Sequence, residues 1–332
     1  MKLSIIGAGS FGTAMAIAAA RAGNDVVLWA HDPEVAAAIN DTGTNADYLA
    51  GMPLTERVRA TNDLAEAAQF SDTQFMVVPS HHYREVLINL KPHLAGRTKV
   101  ISGTKGIENT SLDRMSDIVA EVLDEQLAAF AVLSGPTFAL ETARADPTAA
   151  VIASSDVDFA QEVQQVMSSP SFRLYRTSDV VGVELAGALK NVIAIAAGVL
   201  EGMGLGSNTT AALITRGLAE MTRLGLALGG RLETFAGLAG MGDLVLTCTG
   251  ALSRNRTVGV LLGKGQTLEE ILRDAKFVAE GIKTSKSARQ LSDKHQIEMP
   301  IATEMYKVLY EGESPRGGLQ RLMTRSLKAE VG

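Results

Sequence analysis

Lys2-Leu3-Ser4-Ile5-Ile6-Gly7-Ala8-Gly9-Ser10-Phe11-Gly12-Thr13, at the start of the chain, decides the fold. Leu3 to Ile6 shows little alternation and predicts a parallel strand buried on both faces. It runs into the Gly7-x-Gly9-x-x-Gly12 pattern, Thr13 to Ala22 predicts a helix, and Gly23-Asn24-Asp25 turns the chain into a second strand, Val26 to Ala30. Strand, glycines, helix and strand make one unit of about 30 residues, the context in which this pattern binds a dinucleotide. Gly7 permits the tight turn, Gly9 lets backbone approach a pyrophosphate, and Gly12 lets helix and strand pack closely. Amides near Ser10 and Phe11 then face the phosphates at the positive end of the helix dipole.

The second strand ends in Trp29-Ala30-His31-Asp32-Pro33. An NAD site usually places an acid there to hold the ribose hydroxyls. Ala30 is small, and Asp32 before proline reads as the start of a turn. His31 tolerates an extra phosphate, so the expectation leans to NADP(H), with NAD(H) left open.

Working outward, Phe75 to Val78, Lys99 to Ser102, Phe130 to Leu133, Ala149 to Ala153 and Phe172 to Tyr175 predict further strands. Their carboxyl ends border the ligand crevice of an open parallel sheet. Ser102-Gly103-Thr104-Lys105-Gly106 brings a lysine there, and Ser134-Gly135-Pro136-Thr137-Phe138-Ala139 offers backbone amides and a hydroxyl. The region of Asp179 reads as a linker, after which helical spacing takes over. The expected fold is α/β: a Rossmann-like doubly wound sheet domain over 1–180, followed by an all-helical domain over 181–332.

The second half opens on Glu184 to Gly204, apolar nearly all round, with Lys190 as its one internal positive charge. Such a helix is buried, and burial lowers a lysine pKa towards values useful for proton transfer. Its helical neighbours Ala186, Gly187, Ile193 and Ala194 are mostly too small to cover the amine and leave room for a ligand. The other reading is a lysine that reaches the surface or pairs with a carboxylate. Gly240-Met241-Gly242-Asp243, with Gly237 before it, predicts a special backbone shape, and Asp243 and Thr247 stand one turn apart. Ser253-Arg254-Asn255 reads as a loop with the donor types that bind phosphate, and Val278-Ala279-Glu280-Gly281 as a binding turn.

Composition narrows the partners. The 332 residues carry 31 Lys+Arg against 37 Asp+Glu, net −6, with no basic run, which argues against nucleic acid. No uninterrupted apolar stretch reaches the length of a membrane span, the longest being broken by Lys190 and Asn191. The single cysteine, Cys248, allows no intrachain disulfide and points to a cytoplasmic setting. Histidines 31, 81, 82, 93 and 295 show no metal-ligand spacing, so no metal is expected.

With these motifs in place, the chain resembles the bacterial-type NAD(P)-dependent sn-glycerol-3-phosphate dehydrogenases over essentially its whole length. The likeness runs through the first glycine motif, Ser102 to Gly106, Ser134 to Ala139, Glu184 to Asn191, Gly240 to Asp243, Ser253 to Arg256 and Met299 to Ile301. Gly187-Ala188-Leu189-Lys190-Asn191 is its most specific part. The resemblance implies Lys190 as catalytic acid and base. It implies dinucleotide contacts from Ser10, Phe11, His31, Lys105, Ala139, Arg254, Val278 and Glu280, beside Gly7, Gly9 and Gly12. Substrate contacts would come from Lys105, Gly135, Thr137, Lys190, Asp243, Ser253, Arg254 and Asn255. The implied reaction is reversible hydride transfer between NAD(P)H and dihydroxyacetone phosphate, supplying glycerophospholipid synthesis. A homodimer is expected from frequency alone. A dehydrogenase acting on a hydroxy acid and an NADP(H)-binding redox sensor are the competing readings.

Overall fold

The computed structural model describes residues 1–274, 279–327 and 329–330. Its sheet has eight strands: β1 (Lys2–Ile6), β2 (Asp25–Trp29), β3 (Val58–Thr61), β4 (Thr73–Met76), β5 (Thr98–Ser102), β6 (Leu127–Ser134), β7 (Thr148–Ala153) and β8 (Phe172–Thr177). Their order is β3-β2-β1-β4-β5-β6-β7-β8, so the chain leaves β1 first towards one edge and later, through β4, towards the other. The carboxyl ends of β1 and β4 flank this switch point, where such sheets open a crevice. Pairing is parallel except between β6 and β7, where Leu133 stands opposite Ile152 in antiparallel register. β3 is a strand that the sequence patterns leave unmarked, a four-residue Val-Arg-Ala-Thr beside β2.

Successive side chains of one strand enter different cores. Ile5 and Leu28 pack on one face with Met15 and Ala19, whereas Ile6 and Val27 pack on the other with Tyr83 and Leu87. A strand covered on both faces favours apolar residues throughout, which is why Leu3 to Ile6 barely alternates; its one polar residue, Ser4, is buried and donates to the Ala67 carbonyl at 2.6 Å. Helix α1 (Ser10–Arg21) begins inside the glycine motif, three residues before the predicted start. Helix α2 (Pro33–Thr42) follows β2, and α3 (Met115–Leu123) follows β5.

The second half contains α4 (Val180–Gly202), α5 (Ser207–Ala227), α6 (Asp243–Thr249), α7 (Arg254–Gly263), α8 (Glu280–His295) and α9 (Pro300–Tyr310), with other helices between and after them. Helix α4 is its axis. By length and hydropathy (mean 1.7) α4 could cross a membrane, but 89% of that window is buried inside the protein. Asp179 corrects the linker expectation, being a buried N-cap. One oxygen accepts from Gly182 N at 2.9 Å, the other from Arg231 N at 2.8 Å and Thr234 Oγ1 at 2.6 Å. Glu184 ties α4 to the start of α3 by accepting from Ser116 N (2.8 Å) and Ser116 Oγ (2.6 Å). Burial pushes its carboxyl up to about 7 against the pull of Arg114.

Candidate active site

The glycine motif is built to leave backbone bare. Gly7 has φ +121°, and a Cβ on it would stand 2.7 Å from the Val77 carbonyl oxygen. A Cβ on Gly12 would meet the Gly7 carbonyl oxygen at 1.8 Å, so helix and turn touch through backbone. At Gly9 the same position is open space on the cleft wall, and α1 starts without a side-chain cap. First-turn amides with no cap, beside a vacant Cβ position, fit the pyrophosphate of a dinucleotide.

A cleft of about 1130 Å³ runs from this turn to α4, α6 and α7. Gly7, Gly9, Ser10, Phe11, Gly12, His31, Lys105, Thr137, Ala139, Lys190, Ser253, Arg254, Asn255 and Glu280 all line it. Gly135 and Asp243 stand behind the lysines. Val278 lies outside the described residues.

Lys190 is 5% exposed and Asp243 only 1%. The Lys190 ammonium donates to Asp243 Oδ1 at 2.5 Å and to Thr247 Oγ1 at 2.7 Å. Lys105 donates to Asp243 Oδ2 at 2.7 Å and to the Gly135 carbonyl at 3.1 Å. One buried carboxylate thus holds two ammonium groups, one from each half of the chain. Of the three donors of the Lys190 ammonium, these two bonds leave one for a group in the cleft. Thr247 donates its own proton to the Asp243 carbonyl at 2.6 Å, which turns its lone pairs to the lysine.

Burial lowers the Lys190 pKa to about 8; Asp243 opposes this and Lys105 assists it. For Asp243, burial acts upwards but the two ammonium groups prevail and hold it below the usual carboxylate range. Cys248 is pushed up to about 12 by burial, an inert thiol.

Asp243 owes its aim to the glycine segment, whose Leu238–Gly242 turn is π-helical, Gly242 N reaching the Gly237 carbonyl at 3.1 Å. Such single turns re-aim the residues that follow. A Cβ on Gly240 would lie 2.1 Å from the Phe235 carbonyl oxygen. Gly187 departs from expectation: a Cβ there would meet Ser134 Oγ at 2.9 Å and Lys105 Cγ at 3.6 Å. Its missing side chain therefore admits Lys105 and Ser134 rather than a ligand.

Ser253-Arg254-Asn255 is the start of α7 and not a loop. Ser253 caps it by accepting from Arg256 N at 3.2 Å, and Arg254 donates to Ser10 Oγ at 2.5 Å across the cleft. Burial draws the Arg254 pKa below its ordinary value. The Asn255 amide is bonded on both sides, donating to Asn191 Oδ1 at 3.0 Å and accepting from Gly281 N at 2.9 Å. Thr137 Oγ1 donates to the Gly135 carbonyl at 3.1 Å. Glu280 reaches the other half, accepting from Ser80 N at 3.0 Å and Ser80 Oγ at 2.5 Å, with its carboxyl raised by burial. His31 is exposed, edge-on to Trp29 with ring centroids 5.9 Å apart. Lys105 sits 5.8 Å from the Phe11 ring centre. Tyr48, whose carbonyl accepts from Ser10 Oγ at 2.7 Å, is a wall residue that no motif marks.

Residues 2–160 match the family model for the N-terminus of NAD-dependent glycerol-3-phosphate dehydrogenase, and residues 179–320 the model for its C-terminus. The glycerol-3-phosphate dehydrogenase [NAD(P)+] of Citrifermentans bemidjiense is 53% identical over 99% of this chain and 98% of that protein. Among solved structures, glycerol-3-phosphate dehydrogenase from Coxiella burnetii superposes with a TM-score of 0.94 at 39% identity, covering 98% of this chain and 99% of that one. The Plasmodium falciparum enzyme gives 0.88 at 25% identity, over 99% and 97%. With cradle, cleft and the Lys190–Asp243–Lys105 cluster in place, the chain belongs to the NAD(P)-dependent glycerol-3-phosphate dehydrogenase family.

Proposed function

We propose that this chain interconverts dihydroxyacetone phosphate and sn-glycerol 3-phosphate, with Lys190 giving and taking the proton at the substrate oxygen. The observation that carries the reading is the Lys190–Asp243–Lys105 cluster, set between the glycine cradle and the first turn of α7. Bound in the cleft, NAD(P)H supplies the hydride. As an ammonium, Lys190 donates a proton to the carbonyl oxygen as negative charge develops on it; as an amine, it takes that proton back in the oxidation direction. Lys105 adds positive charge beside the same oxygen, and Thr247 fixes where the Lys190 ammonium points. Gly135 and Thr137 complete the substrate pocket. The cofactor is held by Gly7, Gly9, Ser10, Phe11, Gly12, His31, Ala139 and Glu280, with Lys105 and Arg254 at its junction with substrate.

The phosphate falls to Ser253 and Arg254 at the amino end of α7, where a guanidinium and helix amides converge. Asn255 joins them on the wall and steadies the turn through Asn191 and Gly281. Arg254→Ala is expected to raise the KM for dihydroxyacetone phosphate roughly 10- to 100-fold, the worth of one charged hydrogen-bonding partner. An unchanged KM in steady-state assays would overturn this placement. Activity with dihydroxyacetone phosphate but not with keto acids separates the reading from that of a hydroxy-acid dehydrogenase or a redox sensor.

NADP(H) is the preferred cofactor in this reading. Asp32 caps α2 through one carboxylate oxygen, accepting from Glu34 N at 2.9 Å, and His31 beside it on the cleft wall tolerates the extra phosphate. Titration with NADPH and NADH tests it. The chain divides near residue 180, acts in the cytoplasm in glycerophospholipid synthesis, and forms a homodimer. A lone, buried thiol supports the compartment, and sedimentation checks the dimer.

A further inference from the structure

Helices α4 and α7 meet through glycine on both sides. A Cβ on Gly198 would stand 2.0 Å from the Arg256 carbonyl oxygen, and one on Gly202 2.2 Å from that of Val260. From the other helix, a Cβ on Gly259 would stand 2.0 Å from the Ile195 carbonyl oxygen, and one on Gly263 2.3 Å from that of Val199. Each obstacle is main chain and cannot swing aside as a side chain would. Spaced four apart, each pair lies on one helix face. The two backbones therefore touch along a seam in one register. At the cleft end the same helices are joined by the buried Asn255–Asn191 bond of 3.0 Å.

The seam is not uniform with respect to the site. Arg256, whose carbonyl rests on Gly198, belongs to the first turn of α7, as do Arg254 and Asn255. Gly263 closes the seam at the far end, against Val199 and Gly202.

We propose that Gly198 and Gly259 are positioning residues for the reaction. By letting α7 lie on α4 at backbone contact, they set the span between the Lys190 ammonium and the Ser253–Arg254 turn. The inference rests on the assignment of the substrate phosphate to that turn. Neither glycine lines the cleft. A methyl group at position 198 pushes the first turn of α7 off α4 and carries Arg254 away from the amine. A misplacement on the order of 1 Å costs about 100-fold in a site of this kind. A methyl group at position 263 parts the helices where no substrate contact follows.

Gly198→Ala and Gly263→Ala, assayed side by side, test the idea. Dihydroxyacetone phosphate, unphosphorylated dihydroxyacetone and the melting temperature are the readouts. At saturating cofactor, Gly198→Ala is expected to raise the KM for the phosphorylated substrate roughly 10- to 100-fold, while kcat/KM for dihydroxyacetone changes little. Gly263→Ala is expected to lower the melting temperature comparably yet keep the KM near its starting value. A folded Gly198→Ala protein with normal KM, or equal losses on both substrates, overturns the proposal. If Gly198→Ala does not fold, Gly259→Ala replaces it under the same criteria. Arg254→Ala runs alongside: a normal KM there removes the phosphate assignment itself. A raised KM there with a normal one in Gly198→Ala removes only the positioning role.

Discussion

Replacing Lys190 by alanine is expected to cut turnover by roughly 100-fold or more while leaving cofactor affinity nearly intact, the scale of a lost general acid and base. The separation follows from placement. Lys190 stands at the α4 end of the cleft, bonded to Asp243 and Thr247, whereas the glycine cradle lies across the cleft on β1 and α1. Single-turnover hydride transfer and cofactor titration measure the two effects separately, and near-normal turnover would remove the lysine from the chemistry. The native enzyme has a pH signature with a definite sign. With its pKa brought down to about 8 by burial, Lys190 is an ammonium below that value and an amine above it. Ketone reduction needs the ammonium and should decline as pH rises through about 8; alcohol oxidation needs the amine and should rise over the same interval. Lys190→Ala should lose this opposition of limbs.

Asp243→Ala should damage both stability and activity. The substitution removes the carboxylate that accepts from Lys190 at 2.5 Å and Lys105 at 2.7 Å, leaving two like charges without their counter-ion. Breaking a buried pair in this way costs about 3–5 kcal/mol, although the intact pair is weak evidence of net stability. The loss appears as a lower urea midpoint. The remaining lysines can relieve the strain by shedding a proton, so the pKa of Lys190 should move further down and the reduction limb shift to lower pH. A variant with normal midpoint and unmoved pH profile would show that solvent, and not Asp243, balances the two charges.

Much of this arrangement is legible in the sequence. Gly7, Gly9 and Gly12 in their strand-turn-helix context are local features, so spacing alone locates the dinucleotide cradle. Lys190 stood out because a charge in an apolar helix has few structural reasons to be there, and Asp243 because its glycines suit no ordinary helix. What stayed hidden depends on approach in space. That Asp243 serves Lys105 as well as Lys190 joins residues 138 and 53 positions apart. The Ser80–Glu280 and Ser10–Arg254 contacts span 200 and 244 positions, beyond the reach of any periodicity. β3 escaped because four residues with Arg59 exposed carry too little pattern. The antiparallel β6–β7 step escaped because direction is a property of connections and leaves no mark in strand composition. Asp179 passed for a linker because a capping aspartate and a turn aspartate look alike until their partners are known.

Helix α4 has a further consequence, for the order in which the protein is made. Its 23 residues owe their burial largely to α5, α7 and α8, all of which follow it in the chain. At a synthesis rate of about 5–20 residues per second, the glycine face of α7 leaves the ribosome roughly 3–12 s after α4 does. During that interval the nascent chain displays a segment as apolar as a membrane span, before the helices that cover it exist. The newborn chain is thus at its most aggregation-prone just after α4 appears, with only Glu184, Lys190 and Glu201 as charges among its 23 residues to keep it in water.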